Sequence, residues 1–291
     1  MKLLNRRRDR GRSAFTLLEL LAVIFIIAIV AAILFPTINR THDGSNRVKC
    51  GSNIRQIGQA LMLYANENKG NYPRTFYKAG APLVFSSDAT NTGNARDPFG
   101  DKGLPGTVAE NDVTAAIFLL IRTQDITPEV FVCPDSNLDK DTYGSAPGIS
   151  AQSKTSFTDW RKHLSYSFAN FYPSEAAVKA GYKLNAATGA EFATAADMNP
   201  GVGDGYDVTV PNEKSSTARM QKANSRNHQG QGENVLYGDG HAEFVQNPFC
   251  GTKRDNIYTV SGSTDGSVTT SKTVTGSPVW AGDSVLLPAL K

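Results

Sequence analysis

Residues Phe15 to Phe35 read FTLLELLAVIFIIAIVAAILF, an unbroken apolar run with a single charge, Glu19. At about 1.5 Å per residue such a helix is roughly 31 Å long, the thickness of a bilayer's hydrocarbon core. No other stretch is both long and apolar enough to span. Before it stand Lys2, Arg6, Arg7, Arg8, Arg10 and Arg12 against one acid, Asp9, a net of +5 that leaves the other 277 residues at −2. A basic tail stays on the cytoplasmic side, so the reading is single-pass, with everything after Pro36 outside. A cleaved secretory signal fits poorly. Its apolar region would be about 7–15 residues and end in small residues, whereas this run is longer and ends in Leu34-Phe35-Pro36. Apart from the tail the chain is weakly acidic, so no nucleic-acid partner is expected.

Glu19 is the informative position. A carboxylate in lipid costs on the order of 2.5–3.5 kcal/mol on insertion scales, and such residues are functional by default. A cut between Ala14 and Phe15 would put a new α-amino cation close to the depth of Glu19. The Glu19 of one subunit would then pair with the Phe15 amine of the next, each relieving the other's burial.

Ala14-Phe15-Thr16-Leu17-Leu18-Glu19-Leu20, after a short basic leader, resembles the prepilin cleavage and methylation motif of type IV pilins and type II secretion pseudopilins. The resemblance implies a membrane prepilin peptidase that cuts before Phe15 and methylates its amine. Glu19 would guide assembly, and Pro36 would kink the helix. Ala14 departs from the glycine usual there.

Beyond a polar break at Thr41–Asn46, residues Cys50, Ile54, Ile57, Gly58, Leu61, Tyr64 and Ala65 recur at steps of three and four and line one helix face. Asn68 to Pro73 stops that helix. Asp112 begins a helix through Arg122, Val130–Pro134 reads as a short buried strand, and His163–Tyr172 reads as another. Ser174 is set to cap a helix from Glu175 to Leu184. Residues 86–112 and 185–211 read as loop insertions. Asn234–Val245 is a hairpin pattern about Asp239-Gly240, a pair suited to a type I′ turn, and Val279–Leu287 is a candidate edge strand.

With His228 upstream, the hairpin resembles the processing-associated His-to-Asp-Gly motif of large pilin-like proteins of planctomycete-type bacteria. His228, Asp239 and Gly240 are taken as architectural, with His241 beginning the outgoing strand. Asp197, Asn199, Asp204 and Asp207 could ligate calcium but miss the full loop pattern, so surface turns are expected there. Nucleophile, phosphate-loop and dinucleotide motifs are all missing, so no catalytic residue, cofactor or metal is expected. Cys50, Cys133 and Cys250 fit no zinc spacing. The positions of Cys50 and Cys133 recur in the resembling proteins, which points to a disulfide between them, with a buried free thiol as the alternative for each.

Together these features predict a type IV pilin-like α+β protein, a long N-terminal helix packed on an antiparallel sheet with large loop insertions. Its expected parts are a leader at 1–14, a transmembrane and assembly helix at 15–35, its amphipathic extension at 36–73, and an extracytoplasmic domain at 74–291. The implied role is structural and non-enzymatic, as a subunit of a type II secretion pseudopilus or a pilus-like filament. It would be anchored in the inner membrane with its globular part in the periplasm. Its partners would be a prepilin peptidase, other pilin-like subunits and the inner-membrane assembly platform. The competing expectation is an extracytoplasmic binding protein or adhesin that uses the helix only as an anchor.

Overall fold

The three-and-four spacing of Cys50, Ile54, Ile57, Leu61 and Ala65 sets them on one helix face, and in the computed structural model all five are buried. The structure describes residues 15–88, 99, 107–144, 149–209, 212–264 and 271–290, without the side chains of 33–43. The chain divides into two units, Met1–Gly44 and Ser45–Lys291, and helix α1 (Leu17–Glu67) contributes to both. The polar stretch at Thr41–Asn46 lies inside α1 rather than interrupting it. Its one glycine, Gly44, costs only about 1 kcal/mol against alanine, too little to end a helix of this length. The kink expected at Pro36 falls among the side chains outside the described set.

In the first unit, Phe15, Leu17, Leu18, Leu20 and Phe25 are among the exposed apolar side chains of α1. Among the described residues no helix is long and apolar enough to cross a membrane. The expected span continues to Phe35, and its last side chains, from Ile33, are outside that set.

In the second unit α1 ends as the sequence indicated. Lys69 takes a left-handed φ of +58°, and Gly70 at +84° donates its N–H to the carbonyl of Ala65 at 2.7 Å, closing the last turn. Helix α2 (Val113–Thr123) starts at Asp112, whose carboxylate accepts from the Ala115 N–H at 3.0 Å. The segment expected as a strand at Val130–Pro134 is instead a short 3₁₀ turn, Pro128–Phe131. Pro128 fixes a helical φ at the first position and has no N–H for a ladder. Helix α3 (Trp160–His163) leads into strand β1 (Tyr166–Ala169), so only the middle of His163–Tyr172 is strand. Helix α4 (Glu175–Lys179) is capped by Ser174 and is shorter than expected, because Gly181 turns the chain at φ +91°.

The insertion expected at 185–211 is not a loop. It holds strand β2 (Ala193–Asp197) and a small ribbon, β3 (Val202–Gly203) with β4 (Tyr206–Asp207). Helix α5 (Thr217–Ala223), β5 (Glu233–Tyr237), β6 (Ala242–Val245) and β7 (Leu286–Leu287) complete the unit. The main sheet runs β6-β5-β2-β1-β7, every pair antiparallel, with β2 at its centre and β7 as the expected edge strand. Alternation gives it two buried faces. Phe168, Ala195, Leu236 and Leu287 share a core with the buried face of α1. Ala169, Ala193, Ala196, Val235 and Leu286 lie in a second core with Tyr182, Phe192, Ile257 and Tyr258. A Cβ on Gly58 would come within 2.9 Å of the Leu236 side chain, so α1 approaches β5 closely there. The fold is therefore α+β, a long N-terminal helix with an antiparallel sheet.

The hairpin β5–β6 forms where it was read, but not with a type I′ turn. Gly240 donates to the Tyr237 carbonyl at 2.9 Å, and Tyr237 donates to the His241 carbonyl at 2.9 Å. Only Gly240, at φ +89°, is left-handed; Asp239 is not. The loop is thus three residues, a type I turn followed by a glycine bulge. Gly238 is required for a different reason: a Cβ there would lie 2.5 Å from the Gly189 carbonyl oxygen and 2.6 Å from that of Thr188. His241, about half exposed, stacks on Tyr237 at 4.5 Å and meets Asp239 at 2.5 Å.

Two carboxyl groups, Asp255 and Asp283, are buried side by side. Burial pushes both up, and Asp255, which also faces the charge of Asp283, reaches about 8.

Two outcomes follow from these features. Gly238→Ala is expected to lower the melting temperature by several degrees, since backbone on both sides must move, whereas His241→Ala should shift it by less than about a degree; thermal denaturation compares them. For Asp255 the folded pKa lies above the unfolded value, so its contribution is fully present below about pH 4 and is lost as pH rises toward 8. Asp255→Asn should therefore melt above the parent at pH 8, with the gap closing near pH 4.

Candidate functional site

Thr16 and Glu19 stand at the first turn of α1 with the spacing of a capping box, Thr-x-x-Glu. The Glu19 carboxylate accepts from the Thr16 backbone N–H and from its hydroxyl, both at 2.9 Å, and the Thr16 hydroxyl accepts from the Glu19 N–H at 3.2 Å. Glu19 in the single chain thus closes its own helix start. Phe15 precedes this cap and is exposed; Ala14 lies outside the described residues.

The second site is buried in the unit Ser45–Lys291. Helix periodicity turns Cys50 inward, and strand alternation turns Asp197, two residues after Ala195, toward the same side. Cys133 follows the 3₁₀ turn, its N–H donating to the Ser165 hydroxyl. His228 ends a further 3₁₀ turn, Arg226–His228, just before β5. These four residues are buried, and one sulfur, nitrogen or carboxylate oxygen from each lies within 4.8 Å of all the others. Cys50 and Cys133, expected as a disulfide, lie side by side as free thiols.

The hydrogen bonds around this centre are directional. The Cys50 thiol donates to Asp197 Oδ1 at 2.8 Å and lies 3.2 Å from the Tyr166 hydroxyl. Asp197 Oδ1 also accepts from Asn227 Nδ2 at 3.0 Å, and Oδ2 from the Asn234 backbone N–H at 2.6 Å and its Nδ2 at 3.1 Å. His228 Nδ1 sits 2.9 Å from the Asp135 carboxylate, while Nε2 faces Asp197 Oδ2 at 3.2 Å and Cys133 Sγ at 3.9 Å. Burial pushes His228 down, but the hydrogen bonds and charges of Asp197 and Cys133 outweigh it and raise the imidazole to about 10. Burial likewise pushes Asp197 up, and His228 with the surrounding donors holds it below its ordinary value. The Cys50 thiol is pushed well up, chiefly by burial. Cys133 is held below its usual value by its hydrogen bond with Cys50, against burial, with help from His228.

The site residues chosen from sequence divide. His228 enters the buried centre, whereas Asp239 and Gly240 form the β5–β6 turn together with His241 and do not belong to it. Asp197 and Asn199, expected in surface turns, are buried; Asn199 Nδ2 donates to the carbonyls of Tyr258 and Leu286, both at 3.0 Å. Asp204 pairs with Arg226 at 3.0 Å, and Asp207 holds the Thr209 N–H at 2.9 Å. Sequence reasoning missed Asp135 and the meeting of Asp197 with the two cysteines. Recognising β2 as a strand would have placed Asp197 on the face of Ala195.

Residues 9–35 match the family model of the prokaryotic N-terminal methylation motif. Over 68 residues the chain is 36% identical to "Type II secretion system core protein G" of Klebsiella michiganensis, a match covering 23% of this chain and 47% of that protein. The chain thus spans about half the length of the curated relative it matches. No solved structure matches. In its N-terminal motif and its α+β build the chain is similar to pilins and type II secretion pseudopilins.

Proposed function

We propose that this chain is a structural subunit of a type II secretion pseudopilus or related pilus-like filament, made as a precursor and cut between Ala14 and Phe15 by a prepilin peptidase. The observation that carries the reading is the first stretch of α1, which bears the methylation motif and leaves its apolar side chains, Phe15 to Val30, exposed in the single chain. An apolar surface of that extent calls for lipid or for other helices. In the bilayer it meets acyl chains; in a filament it meets the same helix of neighbouring subunits. The second unit would then face the periplasm, and the assembly platform would move subunits from one environment to the other. In this role the chain performs no catalysis.

The capping box gives Glu19 two uses. Within a subunit it closes the helix start, and between subunits its charge would pair with the methylated Phe15 amine. Glutamine can fill the same position of a capping box but carries no charge.

Mass spectrometry of the chain from its native membrane is expected to show Phe15 first, with a methylated amine; a first residue beyond Pro36 overturns the reading. Glu19→Gln and Glu19→Ala should both be inserted and cut yet be lost from sheared filament fractions by about tenfold or more, consistent with a buried charge left unpaired. Glu19→Asp should be intermediate. Wild-type chain that is processed but never recovered with other pilin-like subunits would instead mark an anchored binding protein.

A further inference from the structure

We propose that Cys50, Cys133, Asp197 and His228 form a structural binding site for one zinc-type divalent ion, which fastens helix α1 to the sheet. This inference is independent of the filament reading and rests on the second unit alone.

Donor chemistry comes first. Two thiols, an imidazole and a carboxylate are the ligand types that borderline-soft Zn2+ takes, four at a time and tetrahedrally. Bond lengths of about 2.3 Å to sulfur and 2.0–2.2 Å to nitrogen or oxygen require donors about 3.3–3.8 Å apart. The observed pairs, 2.8 Å for Cys50 with Asp197, 3.2 Å for Asp197 with His228 and 3.9 Å for Cys133 with His228, bracket that spacing. All four donors fall within 4.8 Å, so side-chain adjustments of up to about an ångström close the tetrahedron.

The surroundings are those of a ligand set held in place. His228 Nδ1 is engaged by Asp135, whose Oδ1 accepts in turn from Asn46 Nδ2 at 2.5 Å. A carboxylate behind the far ring nitrogen orients the ring so that, once Nε2 gives up its proton, the lone pair points inward, as metal-ligating histidines require. In the metal-free chain Nε2 and the Asp197 carboxylate form an ion pair at 3.2 Å, and a divalent ion would take the place of the Nε2 proton between them. Asn227 and Asn234 hold Asp197 as just described, and Tyr166 stands beside Cys50. A Cys50–Cys133 disulfide would account for the two sulfurs but leave Asp197 and His228 as a separate buried ion pair.

Burial decides the class of site. With Asp197 and His228 side chains only 0% and 2% exposed, no coordination position opens to solvent, so the ion is structural rather than catalytic. On binding, both thiol protons and the Nε2 proton of His228 leave to solvent, and the thiolates, carboxylate and neutral imidazole become ligands. The donors come from α1, the segment after the 3₁₀ turn at Pro128–Phe131, β2 and the turn before β5, so one ion joins four separate stretches of chain.

The full chain, purified in detergent without chelator, is expected to hold one zinc per chain by elemental mass spectrometry. After removal, added Co2+ should give the visible bands of a tetrahedral ion and a thiolate charge-transfer band. Cys133→Ser and His228→Ala are expected to lose the metal, and Asp135→Asn to weaken zinc binding about 10–100-fold. Cys250→Ser and His241→Ala, outside the cluster, should keep it. Should the ligand variants fail to fold, the wild-type chain decides alone: its melting temperature should fall with chelator and recover with added Zn2+. A wild-type chain that neither contains nor takes up Zn2+ or Co2+, zinc retained in both ligand variants, or a mapped Cys50–Cys133 disulfide overturns the proposal.

Discussion

The carboxylate of Asp197 lies at zero exposure where the Cys50 face of α1 meets the sheet, and a buried charge persists only when its oxygens are fully engaged. Four residues from three other stretches meet that demand: Cys50 from the helix, Asn227 and His228 from the turn before β5, and Asn234 from β5 itself. Removing one member of such a set typically costs several kcal/mol, because the remaining charge is left without a counterpart. The position of the helix on the sheet is therefore fixed by polar directionality as well as by apolar area. Area alone would tolerate sliding; Asp197 does not.

The sheet's composition follows from being covered on both faces. A central strand of Ala193, Thr194, Ala195, Ala196 and Asp197 offers little side-chain volume, which lets the helix and the opposing loops come close. Gly58 against Leu236, and Gly238 against the carbonyls of Thr188 and Gly189, mark two places where even a methyl group has no room. The large aromatics are placed around this thin centre, with Phe131, Phe157 and Phe168 in one core and Tyr182, Phe192 and Tyr258 in the other. Packing at interior density thus depends on small residues in the middle and bulky ones at the rim.

Periodicity made the helices legible. Cys50 to Ala65, the Asp112 cap of α2 and the Ser174 cap of α4 follow from local spacing and local hydrogen bonds. The β5–β6 hairpin was visible in its alternating flanks, but its turn was misassigned, because Asp239-Gly240 reads alike as a two-residue loop and as the end of a three-residue one. Strand β2 was missed because alanine carries little strand preference, and its strand character comes from tertiary burial. That omission hid Asp197, and with it the centre that gathers His228 and the two cysteines. No spacing rule links residues 50, 133, 197 and 228; only the folded chain brings them together.

That separation sets a schedule for the growing chain. Helix α1 is complete once Glu67 has been made, yet its buried face waits for β2 and β5, which end at Asp197 and Tyr237. At the usual 5–20 residues per second of synthesis the wait is on the order of ten seconds. Throughout that interval Ile54, Ile57 and Leu61 have no sheet to cover them, and Cys50 stands as an accessible thiol before its final neighbours exist. The first half of the sequence therefore spends its early life as a sticky, oxidisable intermediate, and protection arrives only with the last third.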